Sequence, residues 1–342
     1  MRIVVDAFGT DNCPGPDVEG AVLAARQWPQ DEIILVGPED RIREELAKYE
    51  TEGLNLRVVH APQVLTMEHH AEDVRRMEEA SIRVGMRMVK AGEAEAFVSA
   101  GNTIAVLSSA IFDLRRIRGI RRPAIATIYP VSSQPILLLD IGATADPKPE
   151  YLLQFAQMGT IYAERVLGIS NPRLGLLSNG EEEEKGTMVV RDAFHLLQSS
   201  GLNFVGNVEP KEVTYHVADV VVTDGFTGNI LVKTTEAVAS FLKRLLKQLS
   251  GGVLAKIGLV LMIPGLIIAL PGALLLFPNV RHMLKRLDYA EYGGGLLMGV
   301  DGTVIVAHGR SNAKAIKNAI RQGREAVQAE VIPTIKAGLK DG

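Results

Sequence analysis

The chain has 342 residues, 47% hydrophobic and 23% charged, which is the composition of a folded protein with ample apolar material for a core. Its 37 basic and 40 acidic side chains leave a net charge of −3, so no basic excess marks a nucleic-acid binder. The single cysteine, Cys13, allows no internal disulfide and fits a reducing cytosol; the opening MRIVVDAFG reads as a strand entering a glycine turn, not as an export signal.

In chain order, short apolar and β-branched runs predict strands over residues 2–7, 32–37, 56–60, 96–99, 124–129, 135–140, 173–177, 217–223 and 304–307, with helical stretches between them. Near-continuous apolar strands separated by helices indicate a mainly parallel sheet covered on both faces, hence a three-layer α/β/α fold. No Pro- or Ser-rich linker divides the chain, so residues 1–342 are expected to form one catalytic unit.

Residues 236–286 stand out as an insertion. Val238, Phe241, Leu242, Leu245, Leu246 and Leu249 follow the i, i+3, i+4, i+7 spacing of an amphipathic helix, with Lys243, Arg244 and Lys247 off the stripe. Residues 257–277, IGLVLMIPGLIIALPGALLLF, then run without a charge, at a length that would cross a bilayer. Pro264-Gly265 and Pro271-Gly272 interrupt that run, and the strand and helix after it belong with the sheet before it. The expected form is an apolar hairpin that dips into one leaflet, with Lys247, Lys256, Arg281, Lys285 and Arg286 meeting anionic headgroups. A buried helical hairpin at a dimer interface is the alternative, and the two roles are compatible.

Six predicted strands end in loops of one chemical type. Asp6, Gly9 and Asn12 lie in the first; Ser99, Gly101, Asn102 and Thr103 in the second; Asp140-Ile141-Gly142-Ala143 form the third. Ser178-Asn179-Gly180, Asp224 with Gly225, Gly228 and Asn229, and His308 with Gly309 and Ser311 complete the set. In an open parallel sheet the carboxyl ends share one edge, where ligands bind, and glycine turns before helices aim amides at anions. Together the loops predict an amide-rich cleft suited to phosphate.

Other chemistries lack their motifs. No G-x-G-x-x-G follows a strand, the GGGLLMG run at 293–299 has the wrong spacing, and neither a Walker loop nor a G-x-S-x-G elbow is present. His69-His70 lacks H-E-x-x-H spacing and reads as a solvated helix face, so no metal site is expected, and Cys13 reads as a packed thiol, not a nucleophile.

At these loops the sequence resembles the PlsX phosphate acyltransferases of bacterial phospholipid synthesis. The matching segments include VDAFGTDNCP, VSAGNT, RRPAIAT, LLLDIGATAD, NPRLGLLSNGEEEEKG, ADVVVTDGFTGNILVKT and VDGTVIVAHGRSNAKAIKNAIRQ, in family order over nearly the whole chain. The resemblance implies a fold of the isocitrate/isopropylmalate dehydrogenase type, a homodimer, a cytoplasmic location and peripheral attachment to the inner face of the cytoplasmic membrane. It implies transfer of a fatty acyl group from acyl carrier protein to inorganic phosphate, without a cofactor, and catalytic roles for Lys185 and Asn229. The reaction needs a cation to hold phosphate and a donor for the developing oxyanion; Lys185 and Asn229 supply these in either assignment. Read without the resemblance, Lys185 is an ordinary helix-start lysine paired within Glu181–Glu184. Phe8, Thr10, Ile104, Thr144 and Ser178-Asn179 depart from the family's usual residues, with Ile104 expected beside the cleft. Arg115, Arg116, Arg118, Arg121 and Arg122 form a basic run that either steers the acidic carrier protein or is simply solvated surface. An oxidoreductase on the same fold and a non-catalytic membrane organiser of lipid enzymes are the competing readings.

Overall fold

Strands that are apolar on both sides must be covered on both sides, and the sheet is built that way. In the computed structural model, which describes residues 1–129, 134–251, 291 and 293–338, eleven strands form one sheet. In chain order they are β1 (Arg2–Asp6), β2 (Glu32–Gly37), β3 (Leu56–His60), β4 (Ala96–Ser99), β5 (Ala124–Tyr129), β6 (Ile136–Leu139), β7 (Leu174–Leu177), β8 (Phe204–Val208), β9 (Val220–Val222), β10 (Gly294–Met298) and β11 (Thr303–Ala307). Their spatial order is β3-β2-β1-β4-β11-β10-β5-β6-β9-β7-β8.

The pairing is mainly parallel, as expected, but the direction reverses in the middle. β10 runs antiparallel to both β11 and β5, and β5 runs antiparallel to β6. The strands from β3 to β11 therefore point one way, and those from β6 to β8 point the other. This corrects the expectation of a single edge carrying every carboxyl end: loops from the two blocks leave opposite edges, and what they share is the centre of the sheet.

Alternation along each strand sorts the core by face. Ile3, Val5, Ile33, Leu35, Leu137, Leu139 and Ile305 pack into one continuous cluster. The helices α1 (Gly15–Gln27), α6 (Pro149–Arg165), α7 (Met188–Gln198), α10 (Ala313–Gln328) and α11 (Val331–Gly338) cover that side. On the other face the core is split. One cluster joins Val4, Ile34, Phe97, Ile125, Leu297 and Val306 to α4 (Ser81–Lys90) and α5 (Thr103–Ser109), which continues as a π-helical turn over Ala110–Leu114. A second joins Tyr129, Ile136, Leu138 and Val221 to Leu231 and Val232 of α9 (Gly225–Gly251). The remaining short helices are α2 (Glu39–Leu46), α3 (Ala71–Arg76) and α8 (Pro210–Val213).

The amphipathic helix expected from Val238 is the second half of α9, which begins earlier, at Gly225. The uncharged stretch 257–277 lies outside the described residues. Among the described residues no helix is long and apolar enough to cross a membrane.

Candidate active site

Between the two clusters on the split face lies a groove of about 640 Å3. Its floor is β5 and β10. Ile125, Thr127 and Tyr129 share one face of β5 and line it in sequence. Gly293, Gly294 and Gly295 beside them contribute no side chains, which keeps the floor open. At Gly295 a Cβ would stand 2.6 Å from Ile125 Cγ2 and 2.8 Å from the Ala126 carbonyl oxygen, so no larger residue fits without moving β5. Thr103, Ile104 and Leu107 of α5 form one wall, with Ile104 beside the cleft as its position in sequence suggested. Asn229, Val232, Lys233, Glu236 and Ala239 of α9 form the other. A 2.6 Å hydrogen bond between the Tyr129 and Thr235 hydroxyls ties that wall to the floor.

The start of α9 is fixed by close packing. Asp224 accepts from the Thr227 amide at 2.8 Å and from its hydroxyl at 2.7 Å, capping the first turn. A Cβ at Gly228 would overlap the Asp140 carbonyl oxygen, and one at Gly225 would stand 2.7 Å from Asp140 Oδ2. The helix thus rests on the turn after β6, and the Asn229 amide group faces Gly142.

That turn is organised by Asp140, whose carboxylate accepts from the amides of Ile125 (2.9 Å), Gly142 (3.1 Å), Ala143 (3.0 Å) and Thr144 (2.6 Å). Burial pushes this carboxyl up, and the amide donors oppose the shift. The loops at the opposite end are held in the same manner. The Ser99 hydroxyl donates to Asp6 at 2.8 Å and accepts from the Gly101 amide at 3.0 Å. Asn102 Oδ1 accepts from the amides of Ile104 (2.9 Å) and Ala105 (3.3 Å), while its Nδ2 donates to the carbonyls of Thr66, Met67 and His69. His308 Nδ1 accepts from the Arg310 amide at 3.1 Å.

The expected amide-rich cradle is therefore largely spent. Backbone donors of the glycine loops at Gly101, Gly142, Ala143 and Thr144 are satisfied by side chains of their own loops, so they fix shape instead of offering themselves to an anion.

Of the residues singled out in the sequence, Gly101, Thr103, Ile104, Ile141, Gly142, Ala143, Asn229, His308 and Gly309 line the groove. Asp6, Ser99, Asn102, Asp224, Gly225 and Gly228 stand behind it in the supporting roles just described. Gly9 lets the first loop lie against the second, since a Cβ there would be 2.7 Å from the Ala100 amide nitrogen. Ser311 is buried; Asn12 and Asn179 are exposed, and none of the three lines the groove.

Lys185 also lies outside the lining. It is exposed on the turn after β7, its aliphatic stem lies over Gly180, and among the described residues it makes no ion pair. The alternative pairing within Glu181–Glu184 is not what the structure has: Glu181 meets Lys211 and Glu183 meets His195. β7 neighbours β9 in parallel, with Leu176 opposite Val222, so the Lys185 turn and the start of α9 leave the same end of the sheet.

Lys233 and Glu236 line the groove and were not singled out in the sequence, and Asp11 of the first glycine loop lines it without having been proposed as a site residue. Lys233 had a signal: it lies four residues after Asn229, one turn along the same helix face. Arg115, Arg116, Arg118, Arg121 and Arg122 are all exposed on the loop before β5, held to the β10–β11 turn by the Ile117 amide and the Gly299 carbonyl at 3.0 Å.

Known structures share this architecture. A phosphotransacetylase from Streptococcus pyogenes superposes with a TM-score of 0.60 at 17% identity, over 96% of this chain and 94% of that one. A 4-hydroxythreonine-4-phosphate dehydrogenase from Klebsiella pneumoniae gives 0.55 at 14% identity, over 96% and 98%. The class is therefore the three-layer α/β fold that serves phosphotransacylases and phosphate-ester dehydrogenases alike. Sequence is more specific. Residues 1–334 match the family described as fatty acid synthesis protein. The phosphate acyltransferase of Herpetosiphon aurantiacus is 48% identical over 99% of this chain and 98% of its own length. That of Pelotomaculum thermopropionicum is 46% identical over 99% and 95%. The chain belongs to this acyltransferase family, as the loop motifs implied.

Proposed function

We propose that the chain is a phosphate acyltransferase that moves a fatty acyl group from acyl carrier protein to inorganic phosphate, and that the transfer takes place at the Asn229 end of the groove. The observation that carries this reading is Asn229 itself: an amide donor on the first turns of α9, beside Gly142, where the groove opens along apolar side chains of Ile125, Leu107 and Val232. A phosphate oxygen attacks the thioester carbonyl, a tetrahedral oxyanion forms, and the C–S bond breaks to give acyl phosphate and the carrier thiolate. Asn229 Nδ2 is suited to donate to the oxyanion, and a preorganised donor acts most strongly in such a sheltered site. Lys185, which makes no ion pair among the described residues and lies on a turn that leaves the same end of the sheet as α9, is suited to approach the phosphate or the leaving thiolate. Substrate contacts at the other end fall to Thr103, His308 and Gly309.

The remaining parts of the reading follow the family. Phe226, Ile230, Val238, Phe241, Leu242 and Leu245 leave an apolar stripe exposed along α9, which supports a homodimer packed on this helix. The uncharged stretch 257–277 that follows supports peripheral attachment to the inner face of the cytoplasmic membrane. The exposed arginines at 115–122 support docking of the acidic carrier protein.

Incubation with fatty acyl-acyl carrier protein and inorganic phosphate tests the reaction. Hydroxylamine-reactive acyl phosphate and free carrier thiol are expected in a one-to-one ratio. Thiol release without acyl phosphate would make the protein a thioesterase, and no turnover with lipid present would remove the proposal.

A further inference from the structure

Phosphate must enter a groove whose lining carries Asp11 and Glu236, both acidic, and whose loop amides at Gly101, Gly142, Ala143 and Thr144 are already bonded. Among the described lining residues, Lys233 is the only lysine or arginine. It stands one helical turn from Asn229 on the same wall, where side chains four residues apart are about 5–6 Å apart at Cβ. It makes no ion pair among the described residues, although Glu236 lies three residues on along the same wall. Both lysines are exposed, but Lys185 sits on a turn outside the lining.

Resting on the phosphate acyltransferase reading, we propose that Lys233 is the phosphate-binding cation of the groove, holding the anion beside the carbonyl that Asn229 polarises. A rigid helix carries both groups, so their spacing is set before substrate arrives. Lys233 compensates the acidic lining and places one phosphate oxygen toward the thioester. Lys185 then serves the step from the mouth, where the carrier's sulfur leaves.

The test uses the full chain and inorganic phosphate. In steady-state assays, Lys233→Gln is expected to raise the KM for phosphate at least tenfold and leave the KM for acyl-acyl carrier protein within twofold. Lys233→Arg should recover part of the loss, and Thr234→Ala, an exposed neighbour on the same turn, reports any general damage to the helix. Calorimetric titration of inorganic phosphate into wild type and Lys233→Gln gives a reading independent of turnover. Weaker binding to the variant supports the role even if the carrier substrate is wrong. An active wild type whose phosphate KM and affinity are unchanged in Lys233→Gln overturns this inference and leaves the function standing. A wild type that neither binds phosphate nor forms acyl phosphate overturns both.

Discussion

Asp17 shows how the first loop is held from below. It is fully buried, accepts from the Thr10 hydroxyl at 2.5 Å, and among the described residues leaves its second oxygen without a partner. Burial, reinforced by the nearby Asp6, pushes its carboxyl up to about 8. The folded protein therefore keeps this proton at neutral pH and the unfolded chain releases it. Its contribution to stability is complete below about pH 4 and declines as pH rises, by about 1.4 kcal/mol per unit at most, until about pH 8. Asp17→Asn, which mimics the protonated acid, should flatten the fall in urea stability between pH 5 and 8; an unchanged slope would show that Asp17 is ionised in the fold. Asn102 acts above the same loops. Asn102→Ala removes the cap of α5 and the donor to the 66–69 carbonyls, at a cost of about 1–2 kcal/mol. Proteolysis at residues 66–69 should quicken in that variant, and equal cleavage rates would deny Asn102 its pinning role.

At the scale of elements, the seat of α9 on the turn after β6 decides where Asn229 points. Gly228→Ala would drive a methyl group into the Asp140 carbonyl oxygen, so α9 must lift. The expected loss is about 1–3 kcal/mol of stability, with a fall in kcat that persists at temperatures where the variant is fully folded. Retention of wild-type kcat would mean that the helix seat does not control the reacting group. The strands at residues 32–37, 96–99 and 124–129 were legible in the sequence because both faces are largely apolar, and that at 56–60 because Val58 and Val59 are β-branched. β10 was not: Gly293-Gly294-Gly295 gives no strand signal, although those glycines keep the groove floor open. β8, FVGNV, was hidden by its glycine and asparagine. Strand direction was also illegible, because the reversal at β10, β5 and β6 is settled by tertiary pairing. The glycine loops were found, yet their chemistry was misjudged in part. A sequence shows that Asp140 precedes Gly142, not that its carboxylate consumes the amides that follow. For the same reason Lys233 passed unnoticed while Asn229, in a recognisable motif, did not.

For the whole molecule, the exposed stripe on α9 and the arginine loop make separate predictions about association. Phe241→Glu with Leu245→Glu places charge in the apolar stripe, and if α9 carries the proposed homodimer, sedimentation should show a dimeric wild type and a monomeric variant. The same mass for both would free α9 from that role. Charge reversal at Arg118 and Arg122 should raise the KM for acyl-acyl carrier protein several-fold at low salt, less at high salt, and spare a carrier-free acyl donor. Equal loss with both donors would count against docking there. The central claim is that the first turns of α9 carry the donor for acyl transfer to phosphate. Its most direct test is the rate of acyl phosphate formation by Asn229→Ala, compared with wild type at saturating phosphate and acyl-acyl carrier protein, with folding checked by circular dichroism. Loss of an oxyanion donor predicts a fall in kcat of about 100-fold to 1,000-fold with an unaltered spectrum. A folded Asn229→Ala protein that turns over within threefold of wild type would contradict the account.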